Sequence, residues 1–324
     1  MKAIIPAAGI GERLRPLTLT RPKVLLPVAG KPILGHIYDR LALTGIKDIT
    51  VIIGYFGEQV RDYSLRNYDF KFTFIEQSER RGLGQAVGLG LQDTDGPVMI
   101  VLGDVILDLD FKELSLSTEN LIGVTPVNDP RRYGIVELKD GIATHLVEKP
   151  QSSPSNLAIS GIYLVQNGGL LKKAVDHIIA ADIKTKNEYQ LTDALQTMLE
   201  WGERFKVVSV EHCLDCGTRK TLIGTNAYLL NKKQELPPAV PGSVIIPPVF
   251  IAPGVNIRRS IIGPNVHLGR GSHVTNSVVS NSIICDEAIL KNVILDDSLI
   301  GFKSQVSGAV HQIDTADHTI QNLS

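Results

Sequence analysis

Three rhythms of apolar and polar residues follow one another along the chain. In the first, compact apolar runs at 2–5, 49–53, 70–75 and 98–102 alternate with longer stretches. Runs of this kind are what strands buried on both faces look like. Between them, residues 32–44 carry Ile33, Leu34, Ile37 and Leu41 at helical spacing and stop at Gly45. Residues 58–66 predict a polar-faced helix and 82–91 a glycine-rich one. Strands alternating with helices predict an α/β fold, with a mostly parallel sheet and helices on both faces.

From about Asn120 the second rhythm is dominated by strands. Runs at 133–138 and 142–147 flank Lys139-Asp140-Gly141, and Asp-Gly between two such runs signals a hairpin. A strand at 157–165, helices at 170–180 and 189–201, a strand at 205–210 and a closing helix at 218–236 complete it. The proline-rich stretch 234–242 (QELPPAVPG) then marks a boundary, so the expected domains are 1–236 and 237–324.

The third rhythm has a period that no helix has. Ile251, Ile257, Ile262, Leu268, Val274, Val279, Ile284, Leu290, Leu295, Ile300 and Val306 recur every five or six residues. A three-sided coil with about six residues per side produces this spacing, which predicts a parallel β-helix of about three to four coils. Such coils need capping or partner contacts at their ends, so a homo-oligomer is expected.

The candidate chemistry begins where the first strand ends. Pro6 has no N–H for the ladder, and Ala7, Ala8, Gly9, Ile10 and Gly11 follow. Small residues let backbone N–H groups approach a bulky anion, and cations stand just beyond at Arg13, Arg15 and Lys23. A polyphosphate cradle is the reading these residues favour over an ordinary strand-to-helix turn. Two better-known cradles fit less well. The third small position of a dinucleotide fingerprint is Leu14 here, Pro16 interrupts the helix that should follow, and the P-loop string is absent. Asp104 follows the fourth strand, where parallel sheets bind ligands, and Asp215 stands beside Gly217. Two such carboxylates suit Mg²⁺ acting on phosphates.

Composition narrows the partners. With 324 residues, 43% of them hydrophobic, the chain can bury a large core. A net charge of −1 argues against a general nucleic-acid binder, so phosphate-binding cations must be local. No run approaches the length of a membrane span, and no signal-peptide pattern opens the chain. Three cysteines make no disulfide framework, so a cytoplasmic setting is expected.

With these residues in view, the chain resembles the sugar-1-phosphate nucleotidyltransferases. The motifs are Ala8-Gly9-x-Gly11-x-Arg13-Leu14-x-Pro16-x-Thr18 with Pro22-Lys23, then Gly82-Leu83-Gly84-Gln85-Ala86, Leu102-Gly103-Asp104 and Tyr133-Gly134-x-Val136. Val147-Glu148-Lys149-Pro150, Gly161-Ile162-Tyr163 and Asp215-x-Gly217-Thr218 complete the set. The resemblance covers nearly the whole predicted catalytic domain. It implies a Rossmann-like nucleotidyltransferase fold with an appended left-handed β-helix of hexapeptide repeats. The implied reaction joins an NTP to a sugar 1-phosphate, releasing pyrophosphate.

The resemblance also implies roles. Ala8, Gly9 and Gly11 would cradle the nucleotide phosphates, Arg13 would hold the departing pyrophosphate and Lys23 the α-phosphate. Gln85, with the backbone near Gly82, would read the base, and Asp104 and Asp215 would hold Mg²⁺. Glu148 would bind sugar hydroxyls and Lys149 the sugar phosphate, with Tyr133, Gly134 and Gly161 shaping the pocket and Lys186 adding charge. Two positions depart from the family pattern: Val105 replaces an Asn after the metal-binding Asp, and Cys213 replaces a Trp before the second. Cys213-x-x-Cys216 beside His212 also reads as a possible redox or zinc pair, which Asp215-x-Gly217-Thr218 explains better. The segment around Gln85 looks like the thymidylyltransferases for glucose 1-phosphate, so dTTP is expected ahead of UTP. The opening segment looks like the uridylyltransferases, and residues 17–23 like guanylyltransferases for mannose 1-phosphate. An added acetyltransferase activity of the β-helix, or a non-catalytic nucleotide-sugar binder, are the other classes.

Overall fold

The computed structural model describes residues 1–233 and 237–309 and divides into two units, Met1–Thr225 and Asn226–Ser324. The first unit is organised by a nine-stranded sheet. Its strands in chain order are β1 (Lys2–Pro6), β2 (Asp48–Ile53), β3 (Lys71–Glu76), β4 (Val98–Val101) and β5 (Asn120–Pro126), then β6 (Gly134–Lys139), β7 (Ile142–Glu148), β8 (Leu157–Val165) and β9 (Phe205–Ser209). Across the sheet the order is β3-β2-β1-β4-β8-β5-β9-β7-β6. The first four are parallel, as are β5 and β9, while β8 and β7 run antiparallel to both of their neighbours in this order. Ile4, Ile52 and Ile100 are fully buried on one face, and Ala3, Val51 and Met99 equally so on the other. Both faces are therefore covered, which is why these strands read as unbroken apolar runs.

The hairpin expected at Asp140-Gly141 joins β6 to β7, with both turn residues at positive φ, 52° and 77°. The predicted helices form as Ile33–Ala42, Gly57–Asn67, Leu83–Leu89, Gly168–Ala180 and Leu191–Glu200, and the closing helix as Arg219–Lys233. The residues predicted to finish that helix and open the proline-rich boundary, 234–236, lie outside the described residues. After β1 the chain makes three single 3₁₀ turns, Glu12–Leu14, Leu17–Leu19 and Lys23–Leu25, in place of a helix. Pro16 and Pro22, which cannot sit in a helix interior, separate them.

One pairing positions the site. β1 is flanked by β2 on one side and β4 on the other, so the chain reverses its direction of travel across the sheet there. The crevice beyond the carboxyl ends at such a switch point is where open α/β sheets bind ligands.

The second unit contains three parallel four-stranded sheets, one for each side of a β-helix. Val244, Ile261, Val278 and Ile294 stack in one of them, offset by 17, 17 and 16 residues. Ile257, Ile262, Leu268, Val274, Val279, Ile284 and Leu290 from the periodic series are buried together inside. Corner residues Asn265, Asn276, Asn281 and Asn292 have positive φ, a region asparagine tolerates better than other branched polar residues. Their amides form ladders between coils: Asn265 to Asn281 at 2.9 Å and Asn276 to Asn292 at 3.0 Å.

Candidate active site

The loop after β1 and the loop after β4 meet at the switch point. Gly103 N–H donates to the Pro6 carbonyl at 3.1 Å, and an added Cβ on Gly103 would stand 2.7 Å from that oxygen. This close approach carries Asp104 to the mouth of the β1 loop. There Lys23 Nζ donates to Asp104 Oδ2 at 2.5 Å, with the lysine side chain only 11% exposed. Gly11 takes φ 73°, and a Cβ on it would meet Lys23 Cβ at 2.9 Å. Thr18 Oγ1 donates to the Gly11 carbonyl at 2.8 Å, pinning the loop over the lysine. Gly9 faces open space.

The second carboxylate arrives by a pairing that the sequence reading did not contain. Val105–Asp108 and His212–Asp215 form an antiparallel ribbon in which Asp215 lies opposite Val105, and Cys216 N–H donates to the Asp104 carbonyl at 3.1 Å. Asp215 Oδ1 accepts from Gly217 N–H at 2.9 Å. Arg13 Nη2 would lie 3.0 Å from a Cβ on Gly217, so the exposed guanidinium reaches the same corner. Lys23, Arg13, Asp104 and Asp215 are thus brought together from four separate segments.

A cavity of about 320 Å³ opens beside them. Ala8, Gly9, Lys23, Gly82 and Asp104 from the predicted set line it. Gly82 takes φ 121°, and a Cβ there would stand 2.5 Å from the Tyr189 carbonyl oxygen. Gln85 is not among the lining residues; its Oε1 accepts from Gln77 Nε2 at 2.7 Å, and Gln77 lines the cavity in its place. Gln77, a buried polar residue just past the end of β3, was not singled out from sequence. Arg80 and Glu188 also line the cavity and were not singled out from sequence; the Glu79-Arg80-Arg81 charge run before Gly82 was the available signal.

Most of the residues expected on the sugar side lie near one another. Glu148 Oε2 accepts from Thr192 Oγ1 at 2.7 Å, and Glu148 Oε1 lies 3.4 Å from Lys149 Nζ. Gly134 packs against both Glu148 and Thr192. Lys149 N–H donates to the Tyr133 carbonyl at 2.9 Å, and Tyr133 is exposed. Gly161 packs on Leu102, which lines the cavity, and its carbonyl accepts from Leu102 N–H at 2.9 Å. Burial, and then the nearby Glu148 charge, push the Tyr163 phenol far up. Lys186 stands apart, exposed at the tip of a hairpin in which Thr185 pairs with Glu188. Thr192 belongs to this cluster too; the sequence offered it only as part of a helix start.

Could this site hold a metal? Asp104 and Asp215 each use one oxygen, on Lys23 and on Gly217 N–H, and each keeps a second. Among the described residues no three His, Cys, Asp or Glu side chains cluster as a complete protein cage. One or two carboxylates completed by phosphate and water is the donor set Mg²⁺ accepts, so these residues fit it. Cys213 and Cys216 do not supply a rival site. Burial, followed by the Asp215 charge, pushes both thiols up, Cys213 to about 12, so neither is a thiolate at neutral pH.

Comparison with known proteins agrees in both units. The family described as "Nucleotidyl transferase" matches residues 2–232, and "GlmU-like, C-terminal hexapeptide" matches 226–322. The "Bifunctional protein GlmU" of Methanocaldococcus jannaschii is 36% identical over 234 residues, 72% of this chain and 55% of that one. The chain thus spans little more than half the length of that curated relative. The "Glucose-1-phosphate thymidylyltransferase" of Streptomyces antibioticus is 30% identical and aligns over 96% of this chain and 95% of its own. A solved structure of a putative glucose-1-phosphate thymidylyltransferase from Bacillus anthracis, in complex with a sucrose, superposes with TM-score 0.60 at 28% identity, covering 70% of this chain and 94% of that one. A UDP-glucose pyrophosphorylase complexed with UDP-glucose, at 24% identity and TM-score 0.62, covers 71% and 98% and shares the fold. Among the described residues no helix is long and apolar enough to cross a membrane.

Proposed function

The chain belongs to the nucleotidyl transferase family, and we propose that it transfers a nucleotidyl group from an NTP to a sugar 1-phosphate. The observation that carries the reading is that Lys23 and Asp104, paired in the wall of a cavity lined by the small-residue loop, have Asp215 and Arg13 next to them at the Cys216–Gly217 turn. The sugar phosphate already bears a nucleophilic oxygen, so no Ser, Cys or His nucleophile is needed. That oxygen attacks the α-phosphorus, the bond from the α-phosphorus to the bridging oxygen breaks, and pyrophosphate leaves. The protein's task is to align two mutually repelling anions and offset their charge.

In this reading the N–H groups of the Ala8–Gly11 loop face the phosphates. Lys23 takes the α-phosphate and Arg13, whose planar fork suits paired oxygens, takes the pyrophosphate. Asp104 and Asp215 would hold Mg²⁺, which supplies Lewis-acid neutralisation of phosphate oxygens. Gln77, supported from behind by Gln85, reads the base with Gly82. Glu148 binds sugar hydroxyls in the pocket formed by Tyr133, Gly134 and Gly161, and Lys149 and Lys186 serve the sugar phosphate. The division into a catalytic domain ending near residue 236 and a β-helix used for homo-oligomer assembly is part of the same proposal.

For substrates we favour dTTP and glucose 1-phosphate, with UTP second. Full-length alignment with a thymidylyltransferase supports this, as does an amide that can match a pyrimidine N3–H and carbonyl. The thymine methyl adds only about 1–3 kcal/mol, so UTP is expected to be used at a lower rate. Comparing kcat/KM for dTTP, UTP, GTP, ATP and CTP with glucose 1-phosphate tests it, and GTP with mannose 1-phosphate tests the guanylyl alternative. A purine winning by about tenfold, well beyond what one methyl can offset, would overturn the nucleotide assignment. Residues 226–322 match a GlmU-like hexapeptide family, so the alternative of an added acetyltransferase activity, on an amino-sugar phosphate, is tested directly. Incubation with acetyl-CoA is expected to show none.

A further inference from the structure

The geometry points to Tyr189 as a positioning residue whose hydroxyl holds one wall of the nucleotide cavity in place and so sets affinity for the NTP. This rests on reading that cavity as the nucleotide site. Three of its lining residues, Arg80, Gly82 and Glu188, come from two segments distant in the chain. Arg80 and Gly82 belong to the turn before the helix Leu83–Leu89, and Glu188 to the hairpin in which it pairs with Thr185. Tyr189 joins the two segments. Its N–H donates to the Arg81 carbonyl at 2.8 Å, and its own carbonyl accepts from Gly84 N–H at 2.8 Å.

The side chain carries this join beyond the backbone. Its ring is buried in the core of the first unit, where a phenylalanine ring of the same shape would pack. Packing therefore does not call for the hydroxyl, and a buried hydroxyl is costly unless it is hydrogen-bonded. This one is used twice, on exposed segments. It donates to Asp182 Oδ1 at 2.6 Å and accepts from Arg81 Nη2 at 3.0 Å. The Arg81 guanidinium also stands 4.9 Å from the ring centroid. Lys184 Nζ, paired with Asp182 at 2.6 Å, stands 5.0 Å from it.

Asp182 is itself firmly seated. It follows the helix Gly168–Ala180, with its N–H donating to the Ile179 carbonyl at 3.3 Å and Ile183 N–H to the Ile178 carbonyl at 2.8 Å. The hydroxyl thus ties Arg81, which stands between two cavity residues, to the end of a core helix. The same turn reaches the amide assigned to the base. Gln77 Nε2 donates to the Gly82 carbonyl at 3.3 Å as well as to Gln85, so a shift of the turn shifts that amide. The sugar side is held separately. Glu148 is anchored by Thr192, on the helix Leu191–Glu200, whose Leu191, Ala194, Leu195 and Met198 are fully buried.

The test measures binding of dTTP, UTP, GTP, ATP and CTP with Mg²⁺ to the full chain by titration calorimetry, and KM for glucose 1-phosphate by steady-state kinetics. The variants are Tyr189→Phe, Asp182→Asn, Asp182→Gly, which suits the φ of 52° at that residue, and the Tyr189→Phe/Asp182→Gly double variant. Expected in Tyr189→Phe and Asp182→Gly is a Kd for the tightest-binding NTP raised about tenfold, the scale of one hydrogen bond to a charged group, with KM for glucose 1-phosphate within about twofold. The double variant is no worse than the worse single, as for two ends of one contact. Asp182→Asn, which keeps an acceptor, recovers part of the loss. Removing the Asp182 charge would by itself favour an anionic ligand, so weaker binding in Asp182→Gly separates positioning from electrostatics. Unchanged NTP binding in folded Tyr189→Phe, tighter binding in Asp182→Gly, equal losses for both substrates or additive effects would overturn the inference. If Tyr189→Phe does not fold, Asp182→Gly and Asp182→Asn on the exposed turn decide alone. Wild-type protein that binds an NTP yet transfers no nucleotidyl group would overturn the functional reading, and the NTP comparison would still decide this inference. Wild-type protein that binds none of the five would overturn both.

Discussion

Replacing Gly134 by alanine should separate sugar binding from nucleotide binding with a single methyl group. The new Cβ would stand 2.7 Å from Thr192 Oγ1 and 2.9 Å from Glu148 Oε2, the two atoms joined by a 2.7 Å hydrogen bond. Ordinary contact begins near 3.4 Å, so both atoms must move by several tenths of an ångström, which disturbs the hydrogen bond between them. The backbone of Gly134 is not in the left-handed region, so the perturbation is steric and local. A hydrogen bond to a charged acceptor contributes about 1.5–3 kcal/mol, which corresponds to about 10- to 150-fold in kcat/KM for the sugar 1-phosphate. The atoms met are ends of side chains, so overpacking should cost stability near the low end of about 1–3 kcal/mol. Steady-state kinetics with each substrate varied in turn reads the effect, with urea titration as the control for folding. A folded Gly134→Ala enzyme with wild-type KM for the sugar 1-phosphate would refute the assignment of Glu148 and Thr192 to the sugar.

Asp104→Asn and Asp215→Asn should each lower turnover by at least about 100-fold, the usual cost of lost transition-state charge stabilisation, without unfolding the chain. Near-wild-type turnover at saturating Mg²⁺ would remove that residue from the metal site. Gly82→Ala combines a φ of 121° with backbone contact at 2.5 Å and should cost about 2–5 kcal/mol of stability, read as a lowered denaturation midpoint. Cys213 and Cys216, with raised thiol pKa values, should resist alkylation at pH 8 in the native protein and react after unfolding. Rapid native labelling would contradict the burial of Cys216 and the partial burial of Cys213. A chain ending at residue 236 should scatter light as an oligomer of fewer chains than the full chain; an unchanged number of chains would place the main interface on the first unit.

What could be read from sequence was whatever chemistry is local. The buried strands announced themselves because both faces are covered, and the β-helix because each inward position repeats on every side. The end of β1 and the loop that follows were legible because Pro6 cannot extend the ladder and small residues come directly after it. What was not legible depended on partners distant in the chain. Val105–Asp108 is too short to stand out, and only its pairing with His212–Asp215 puts the second carboxylate beside the first. Gln77 and Gln85 both lie in suitable segments, and only the packed end of β3 decides which one faces the cavity. Thr192 read as part of a helix start because its partner, Glu148, lies on a strand distant in the chain.

The coil offsets of the β-helix have a consequence for how its length can change over evolutionary time. Each coil hands its successor the same inward side chain and the same corner amide, 16 residues on in the later coils. Joining Asn276 directly to Val293 would therefore remove one full coil and leave every remaining ladder in step. Losing six residues would shift all that follows by one side of the triangle, so that each corner asparagine stacks on a different corner and loses its ladder partner. Insertions and deletions in this half of the chain are thus quantised. They pass selection as whole coils or as loops bulging from a corner, and relatives can differ in the number of turns while sharing each turn's construction.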